Sequence, residues 1–485
     1  MSEYIVTVLP DGITLTAEGG TALLSVLRKA GLAPEAFCGG NGKCGKCVVT
    51  IGGEKVLSCK TIVDRSMTVT LESTDSLQVL TDSASAEISA QGTGAKIAFD
   101  IGTTSVVCYL MSHDGTLLAA KGCVNPQASY GADVVSRIQS AAKGTLKEQQ
   151  KLICECMTEL IKSVCSEANT APQEIETVSV VGNPAMQQLF LGIDVNNLIK
   201  IPFEPAIREA KTLSAKAYLP VCENAELLIV PDVSGYVGAD TVACVLATDL
   251  HECDRLTLLV DIGTNGEIVL GSRERMVCCA TAAGPALEGA NIECGMRGAV
   301  GAIDRVYLEN GEIKCHVIGD AAAKGICGSG LIDAIAVFLE KGLINHRGKI
   351  LTGEDRLPLT GNVYLTQEDI RQVQLAKGAI AAGIILLAEA LNVSLEDIDA
   401  VLLAGAFGSA LSPESACRTG LIPYELNEKI TAVGNAAGLG ARLAALSREK
   451  LELSQQLSSE MELVELASLP NFRQQFAKQM YFRRS

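Results

Sequence analysis

The chain has 485 residues, 48% of them hydrophobic and 20% charged, with a net charge of −16. That length suits about three domains with large cores, and the composition excludes a disordered chain. The acidic balance argues against nucleic acid as a partner, because phosphate backbones are held by surplus lysine and arginine. The start, Met-Ser-Glu-Tyr-Ile-Val-Thr-Val, lacks the basic and apolar regions of a signal peptide, and no apolar run is read as a membrane span. Eighteen cysteines without an export signal predict a cytoplasmic protein, since disulfides do not persist in a reducing compartment. His113, His251, His316 and His346 fall in no ligand or triad spacing and are expected to be surface or satisfied residues.

In chain order, residues 3–9 and 13–17 alternate about Pro10-Asp11-Gly12, which predicts a hairpin. Thr21 is placed to cap a helix carrying Leu23, Leu24, Leu27 and Ala30. A glycine-rich loop then presents Cys38, Cys44 and Cys47 in C-x5-C-x2-C spacing, and Cys59 follows after an eleven-residue gap. Gly39, Gly40, Gly42 and Gly45 let the backbone wrap tightly and turn N–H groups toward a metal centre. Short strands are expected near 47–51, 55–59 and 67–71. Plant-type ferredoxins hold a 2Fe–2S cluster with C-x4-C-x2-C plus a distant cysteine, and this segment resembles them. A zinc site is the competing reading of the C-x2-C pair. The expectation is an α+β β-grasp ferredoxin domain over residues 1–75 and a Ser-, Thr- and Ala-rich linker over 76–94.

From Lys96 the pattern becomes α/β. Lys96-Ile-Ala-Phe-Asp-Ile-Gly-Thr-Thr and Leu258-Leu-Val-Asp-Ile-Gly-Thr-Asn each read as an apolar strand ending in Asp-Ile-Gly-Thr, and each leads into another apolar strand, at 106–111 and 267–271. The echo predicts an internal duplication, with one lobe over 95–255 and a second over 256–485 whose last helices return toward the first. Helices are expected over 147–168, 331–341, 366–391 and 412–419, and strands over 177–181, 227–230 and 401–404. Gly102 and Gly263, with Gly266 nearby, permit tight turns whose N–H groups approach phosphates. Thr103, Thr104, Thr264 and Asn265 add side-chain donors, and Asp100 and Asp261 are candidates to hold Mg2+ through water. The strand beginning at Val401 breaks into Gly405, Ala406, Phe407 and Gly408, candidates for lining a purine or ribose. Gly434-Asn-Ala-Ala-Gly-Leu-Gly-Ala is either a further nucleotide contact or close helix packing. Neither a P-loop nor a Rossmann fingerprint is present.

Two phosphate motifs and one adenosine motif resemble the acetate-kinase, sugar-kinase, Hsp70 and actin superfamily, whose paired ribonuclease-H-like lobes close on Mg–ATP. Many members carry Gly-Gly where this chain has Ala404-Gly405. Joined to a 2Fe–2S domain, the whole chain resembles the reductive activators of corrinoid-dependent methyltransferases. Val181-Gly-Asn-Pro-Ala-Met, Pro231-Asp-Val-Ser-Gly-Tyr-Val-Gly-Ala-Asp, Ala283-Gly-Pro-Ala-Leu-Glu-Gly and Ile326-Cys-Gly-Ser-Gly-Leu-Ile-Asp support this. There is no room for the extra domain some members carry after the linker, and no cysteine follows Cys417 to form a C-terminal cluster.

The resemblance implies an ATP-hydrolysing electron-transfer activator with a 2Fe–2S cluster, ATP and Mg2+ as cofactors. It would return one electron to inactive Co(II) and regenerate Co(I). Its partners would be a corrinoid protein of a methyltransferase system and a low-potential donor such as a ferredoxin or flavodoxin. No membrane or nucleic acid is implied, and a homodimer through the ATPase lobes is compatible. The alternatives are a small-molecule kinase with a redox-sensing ferredoxin domain and an ATP-gated binding module without catalysis. Dehydratase activators that hold a 4Fe–4S cluster across a dimer lack the N-terminal domain. Glu267 is read as an exposed strand residue rather than one that orients water. Lys43, Lys46 and Lys60 crowd the cysteines. Cys278, Cys279, Cys154, Cys156 and Cys165 are read as buried or incidental thiols. Phe472, Phe476 and Met480 predict a packed terminal helix.

Overall fold

The alternating N-terminal segment forms a hairpin in which Glu3–Leu9 pairs antiparallel with Ile13–Glu18 and turns Val6 and Val8 inward. The computed structural model describes residues 2–10, 12–30, 32–34, 42, 47–71 and 92–483. The first sheet runs Ile13–Glu18, Glu3–Leu9, Met67–Thr70, Val48–Ile51, Glu54–Leu57, with the two central neighbours Glu3–Leu9 and Met67–Thr70 parallel. Helix Leu23–Lys29 packs on it and buries Leu23, Val26 and Leu27 in a core that includes Val49, Val63 and Val69, while its Leu24 is buried beside Cys47. Thr21 does not cap this helix. Its N-cap residue is Ala22, no side chain caps it, and Ala22 is instead held by a strand-like bridge to Ile62. Cys38, Cys44, Lys43 and Lys46, and all of the expected linker except 92–94, lie outside the described residues.

The two lobes repeat one pattern. In the first, Ala95–Ile101 runs parallel to Ile175–Gly182 and antiparallel to Ser105–Met111, which pairs antiparallel with Leu117–Val124. In the second, Thr257–Ile262 runs parallel to Ala400–Ala404 and antiparallel to Gly266–Ser272, which pairs antiparallel with Arg275–Thr281. Both six-stranded sheets therefore share four adjacent strands in the same order and sense. Their strands read as apolar runs because helices cover both faces. Helix Leu146–Ala168 covers the outer face of the first sheet, and Gly328–Glu340 with Gln367–Leu391 covers the second. A third core joins the lobes, with Tyr109, Val181 and Val242 meeting Leu259, Val269 and Cys278.

Helix Ala436–Leu446 lies in that joint against Ala239–Thr248. A Cβ on Gly440 would stand 2.1 Å from the Ala243 carbonyl oxygen, and one on Gly438 would meet the Tyr109 ring at 2.7 Å. These glycines thus serve close packing. Helix Gln367–Leu391 is, contrary to the sequence reading, long and apolar enough to cross a bilayer, but 78% of its apolar window is buried inside the lobe. The tail helix Phe472–Gln479 packs along it, and the chain beyond is tied down by Gln374 Nε2 donating to the Met480 carbonyl at 2.9 Å and Lys377 Nζ to that of Tyr481 at 2.5 Å. The N-terminal domain meets the first lobe where the Arg28 guanidinium lies 4.9 Å above the Tyr130 ring centroid.

Candidate functional site

The two Asp-Ile-Gly-Thr segments end equivalent strands and leave the sheet in short turns, the second one residue tighter than the first. Gly102 N–H donates to the Ser105 carbonyl at 2.9 Å, and Gly263 N–H donates to that of Asn265 at 2.9 Å. Buried Arg137 anchors the first turn, donating through Nη2 to the Thr103 carbonyl at 2.5 Å and through Nε to that of Gly131 at 2.9 Å. Asn125 Nδ2 donates to the Gly102 carbonyl at 2.8 Å and Asn183 Nδ2 to Thr103 Oγ1 at 3.0 Å. The turns face each other across a cleft of about 890 Å³, a volume that suits a nucleotide. Asp100, Gly102, Thr103, Thr104, Asp261, Gly263, Thr264, Asn265, Gly405, Ala406 and Phe407 all line it.

Gly266 and Gly408 do not line it. A Cβ on Gly266 would strike Thr281 Oγ1 at 2.7 Å, and Gly408 packs against Leu403, so both glycines support neighbouring chain rather than a ligand. Gly405 does belong to the cleft. Its φ of +81° suits glycine, and a Cβ there would stand 2.6 Å from Asp261 Oδ1. The Phe407 ring lies against Gly328 at the start of helix Gly328–Glu340.

The floor of the cleft gathers more negative charge than the sequence suggested. Asp240 and Glu267 join Asp100 and Asp261. Glu267 therefore faces the cleft, which corrects its reading as an exposed strand residue. Burial pushes Asp100 up to about 6, with the charge of Asp261 adding to the rise and a 2.9 Å hydrogen bond from Asn435 Nδ2 opposing it. Asp240 is pushed up to about 7 by burial and then by Asp261 and Asp100. Asp261 is raised by burial, and Glu267 is raised well above the usual range by burial, Asp240 and Asp261. Carboxylates enclosed this closely repel one another until a cation arrives. Among the described residues, no three Cys, His, Asp or Glu side chains converge tightly enough to ligate a bare ion. A Mg2+ held here would therefore keep water in its shell.

Asp240 and Glu288 went unassigned in the sequence, although both lie in the stretches Pro231–Asp240 and Ala283–Gly289 that stood out there. The sequence is compatible with Asn435 as either a nucleotide contact or a packing residue. The structure divides that segment, with Asn435 at the cleft and the glycines behind it in the helix joint. His316 sits at the rim, its Nδ1 2.6 Å from Asp304 Oδ1.

At the other end of the chain, Cys47 is buried and Cys59 partly so, and both pack against Leu24 in one small cluster with Ala33 and Leu57. Ser58 Oγ and the Ser58 N–H both donate to the Cys47 carbonyl at 2.9 Å, which holds the two cysteine-bearing segments together. This pair fits half of a four-thiolate set. Half of the thiols in the lobes are buried and half partly so, and Cys123 and Cys156 lie with sulfurs 3.0 Å apart.

Two lobes of common sheet order, each sending a glycine turn into one cleft, define a nucleotide-binding protein of the actin, sugar-kinase and Hsp70 fold, here preceded by a ferredoxin domain. Residues 255–485 match the family described as the C-terminal domain of RACo, the ASKHA domain; residues 95–253 match the RACo middle region; and residues 6–71 match the 2Fe–2S iron–sulfur cluster binding domain. The chain belongs to the family of reductive activators of corrinoid proteins. It is 37% identical over 406 residues to the corrinoid activation enzyme RamQ of Eubacterium limosum, covering 78% of this chain and 68% of that one. It is 28% identical over 335 residues to the Co(II) methylated amine-specific corrinoid protein reductase of Methanosarcina barkeri, covering 61% of each. A solved structure of a reductive activator for corrinoid, iron–sulfur protein matches with a TM-score of 0.73 at 29% identity, over 99% of this chain and 98% of that one.

Proposed function

We propose that this chain uses ATP hydrolysis to return one electron to the cobalt of a corrinoid protein, converting inactive Co(II) to Co(I) for methyl transfer. The observation that carries the reading is the facing of turns 102–104 and 263–265 across one cleft, in a chain that also brings Cys47 and Cys59 together. The names of the relatives supply the partner, a corrinoid protein.

In this reading Thr103, Thr104, Thr264 and Asn265 donate to the phosphates, and Gly405, Ala406 and Phe407 border the adenosine. Asp100 and Asp261, with Asp240 and Glu267 beside them, would hold a hydrated Mg2+, which would supply positive charge opposite the phosphates. Cys38, Cys44, Cys47 and Cys59 bind the 2Fe–2S cluster, which when bound is a one-electron carrier near about −400 mV. The electron arrives from a ferredoxin or flavodoxin. Each ~59 mV uphill costs a factor of ten, so a gap of ~120 mV costs about 2.7 kcal/mol, within the 1–3 kcal/mol typical of coupling between sites. Lobe closure around ATP is the chain's means of meeting it.

The test is anaerobic absorbance spectroscopy of a Co(II) corrinoid protein mixed with this protein, a low-potential reductant and either ATP or a non-hydrolysable analogue. The Co(I) band should grow with ATP alone and vanish in Cys44→Ala. A band that grows equally with the analogue removes the role of hydrolysis, and no band with any corrinoid partner removes the reading.

A further inference from the structure

Between the two turns stands a carboxylate to which phosphate and metal binding give no task. Glu288 closes the short turn Pro285–Glu288, and its Oε2 accepts hydrogen bonds from Thr104 Oγ1 at 2.8 Å and Thr264 Oγ1 at 2.7 Å. The two hydroxyls are 3.4 Å apart. Thr104 belongs to one lobe and Thr264 to the other, so one oxygen joins both phosphate turns at their close approach. A hydroxyl has a single proton to donate. While both protons go to Glu288, neither is free for a phosphate, and a γ-phosphate that takes both lies directly beside Glu288.

A second observation leaves room for a water there. A separate recess of about 10 Å³ is bounded by Glu288, Thr104 and Arg297, with Ala128, Ala132 and Ala290 among its walls. That is close to the space one water molecule requires, and the three polar residues can fix its orientation. The carboxylates that perturb one another on the cleft floor are Asp100, Asp240, Asp261 and Glu267. Their buried charge calls for a cation, whereas Glu288 stands at the threonine side.

We propose that Glu288 is the catalytic residue that orients the attacking water and accepts its proton, an assignment that rests on the ATP-hydrolysis reading above. When the γ-phosphate takes the Thr104 and Thr264 hydroxyls, the Glu288 carboxylate is released as an acceptor beside the recess. The water oxygen bonds to the γ-phosphorus, and the bond from that phosphorus to the β–γ bridging oxygen breaks. ADP leaves with the electron pair. The water's proton passes to Glu288 and then to inorganic phosphate. Because such transition states are loose, orientation of the water is the larger part of the task, and proton transfer follows it.

The experiment uses the full-length protein, as wild type, Glu288→Gln and Glu288→Asp. Steady-state ATP hydrolysis is measured without any corrinoid protein, and the affinity for a fluorescent non-hydrolysable ATP analogue is measured separately. Glutamine keeps the size and can still accept from both threonines but takes no proton. It should lower kcat by ~10²–10⁴-fold while analogue affinity stays within about threefold, and aspartate should restore part of the rate. Retained analogue binding also shows that the variant is folded. Unchanged kcat in Glu288→Gln overturns the assignment. So does a loss of affinity that matches the loss of rate, because Glu288 would then only latch the lobes. A wild type that binds ATP and never hydrolyses it overturns both this assignment and the reading it rests on. Glu288-dependent hydrolysis that never yields Co(I) overturns the corrinoid reading and leaves Glu288 in place.

Discussion

Replacing Asp240 with asparagine should stabilise the nucleotide-free protein while weakening its response to Mg–ATP. The folded state pushes the Asp240 carboxyl from an ordinary 3.8 up to about 7, chiefly by burial and then through Asp261 and Asp100. A folded pKa above the unfolded one means the folded state holds more protons between those values, so stability falls as pH rises through that window. About three pKa units at ~1.4 kcal/mol each set an upper bound of about 4 kcal/mol of destabilisation above pH 7. Asp240 keeps part of its surface toward the cleft, and water there reduces this to about 2 kcal/mol. Removing the charge should raise the midpoint of the ATPase lobes by several degrees at pH 8, since ~1 kcal/mol moves a lobe of this size by ~2–4 °C. The chain has no tryptophan, so far-UV circular dichroism is the suitable probe. The gain should shrink as pH falls from 8 to 5 and disappear only below 3.8, where Asp240 is protonated in both the folded and the unfolded state. Added Mg–ATP should stabilise wild type more than the variant. A variant that is no more stable at pH 8, or whose gain does not shrink between pH 8 and pH 5, would refute the argument that charge crowding strains the cleft.

Further outcomes follow from packing and ligation. Gly440→Ala places a methyl 2.1 Å from the Ala243 carbonyl and should destabilise the lobe joint by about 1–3 kcal/mol; an unchanged melting midpoint would show that the helices part freely. Arg28→Ala removes the guanidinium over Tyr130, a contact worth about 1–2 kcal/mol. It should speed hydrogen exchange in helix Leu23–Lys29 and turn Pro126–Tyr130, and equal exchange would show that the contact bears no load. Cys59→Ala should abolish bound iron and sulfide while ATP hydrolysis continues, whereas full iron content would remove Cys59 from the ligand set.

Some features were legible in the sequence because they are local. A strand that ends in Asp-Ile-Gly-Thr carries its own turn, and two copies predicted two like lobes before any contact was known. The hairpin at 3–18 and the helix over 366–391 follow likewise from periodicity and turn residues, although Thr366 proves to be the cap of Gln367–Leu391 rather than its first residue. Other readings failed where a neighbour distant in sequence decided the matter. Thr21 has cap chemistry, but pairing of Ala22 with Ile62 fixes the helix start instead. Gly266 and Gly408 sit within motifs yet face Ile380 and Leu403.

The sequence alone determined the class of each part, because cysteine spacing and strand-end glycines act through the few residues beside them. The tertiary structure alone decided how many carboxylates share the cleft and which one faces the threonines. Asp240, in the first turn of helix Ala239–Thr248, and Glu288, in the turn Pro285–Glu288, lie away from the phosphate turns along the chain. Only the closure of two duplicated sheets on one another brings Thr104, Thr264 and Glu288 within hydrogen-bond reach. Burial and mutual repulsion, which set the charge state of that floor, exist only once the lobes are packed.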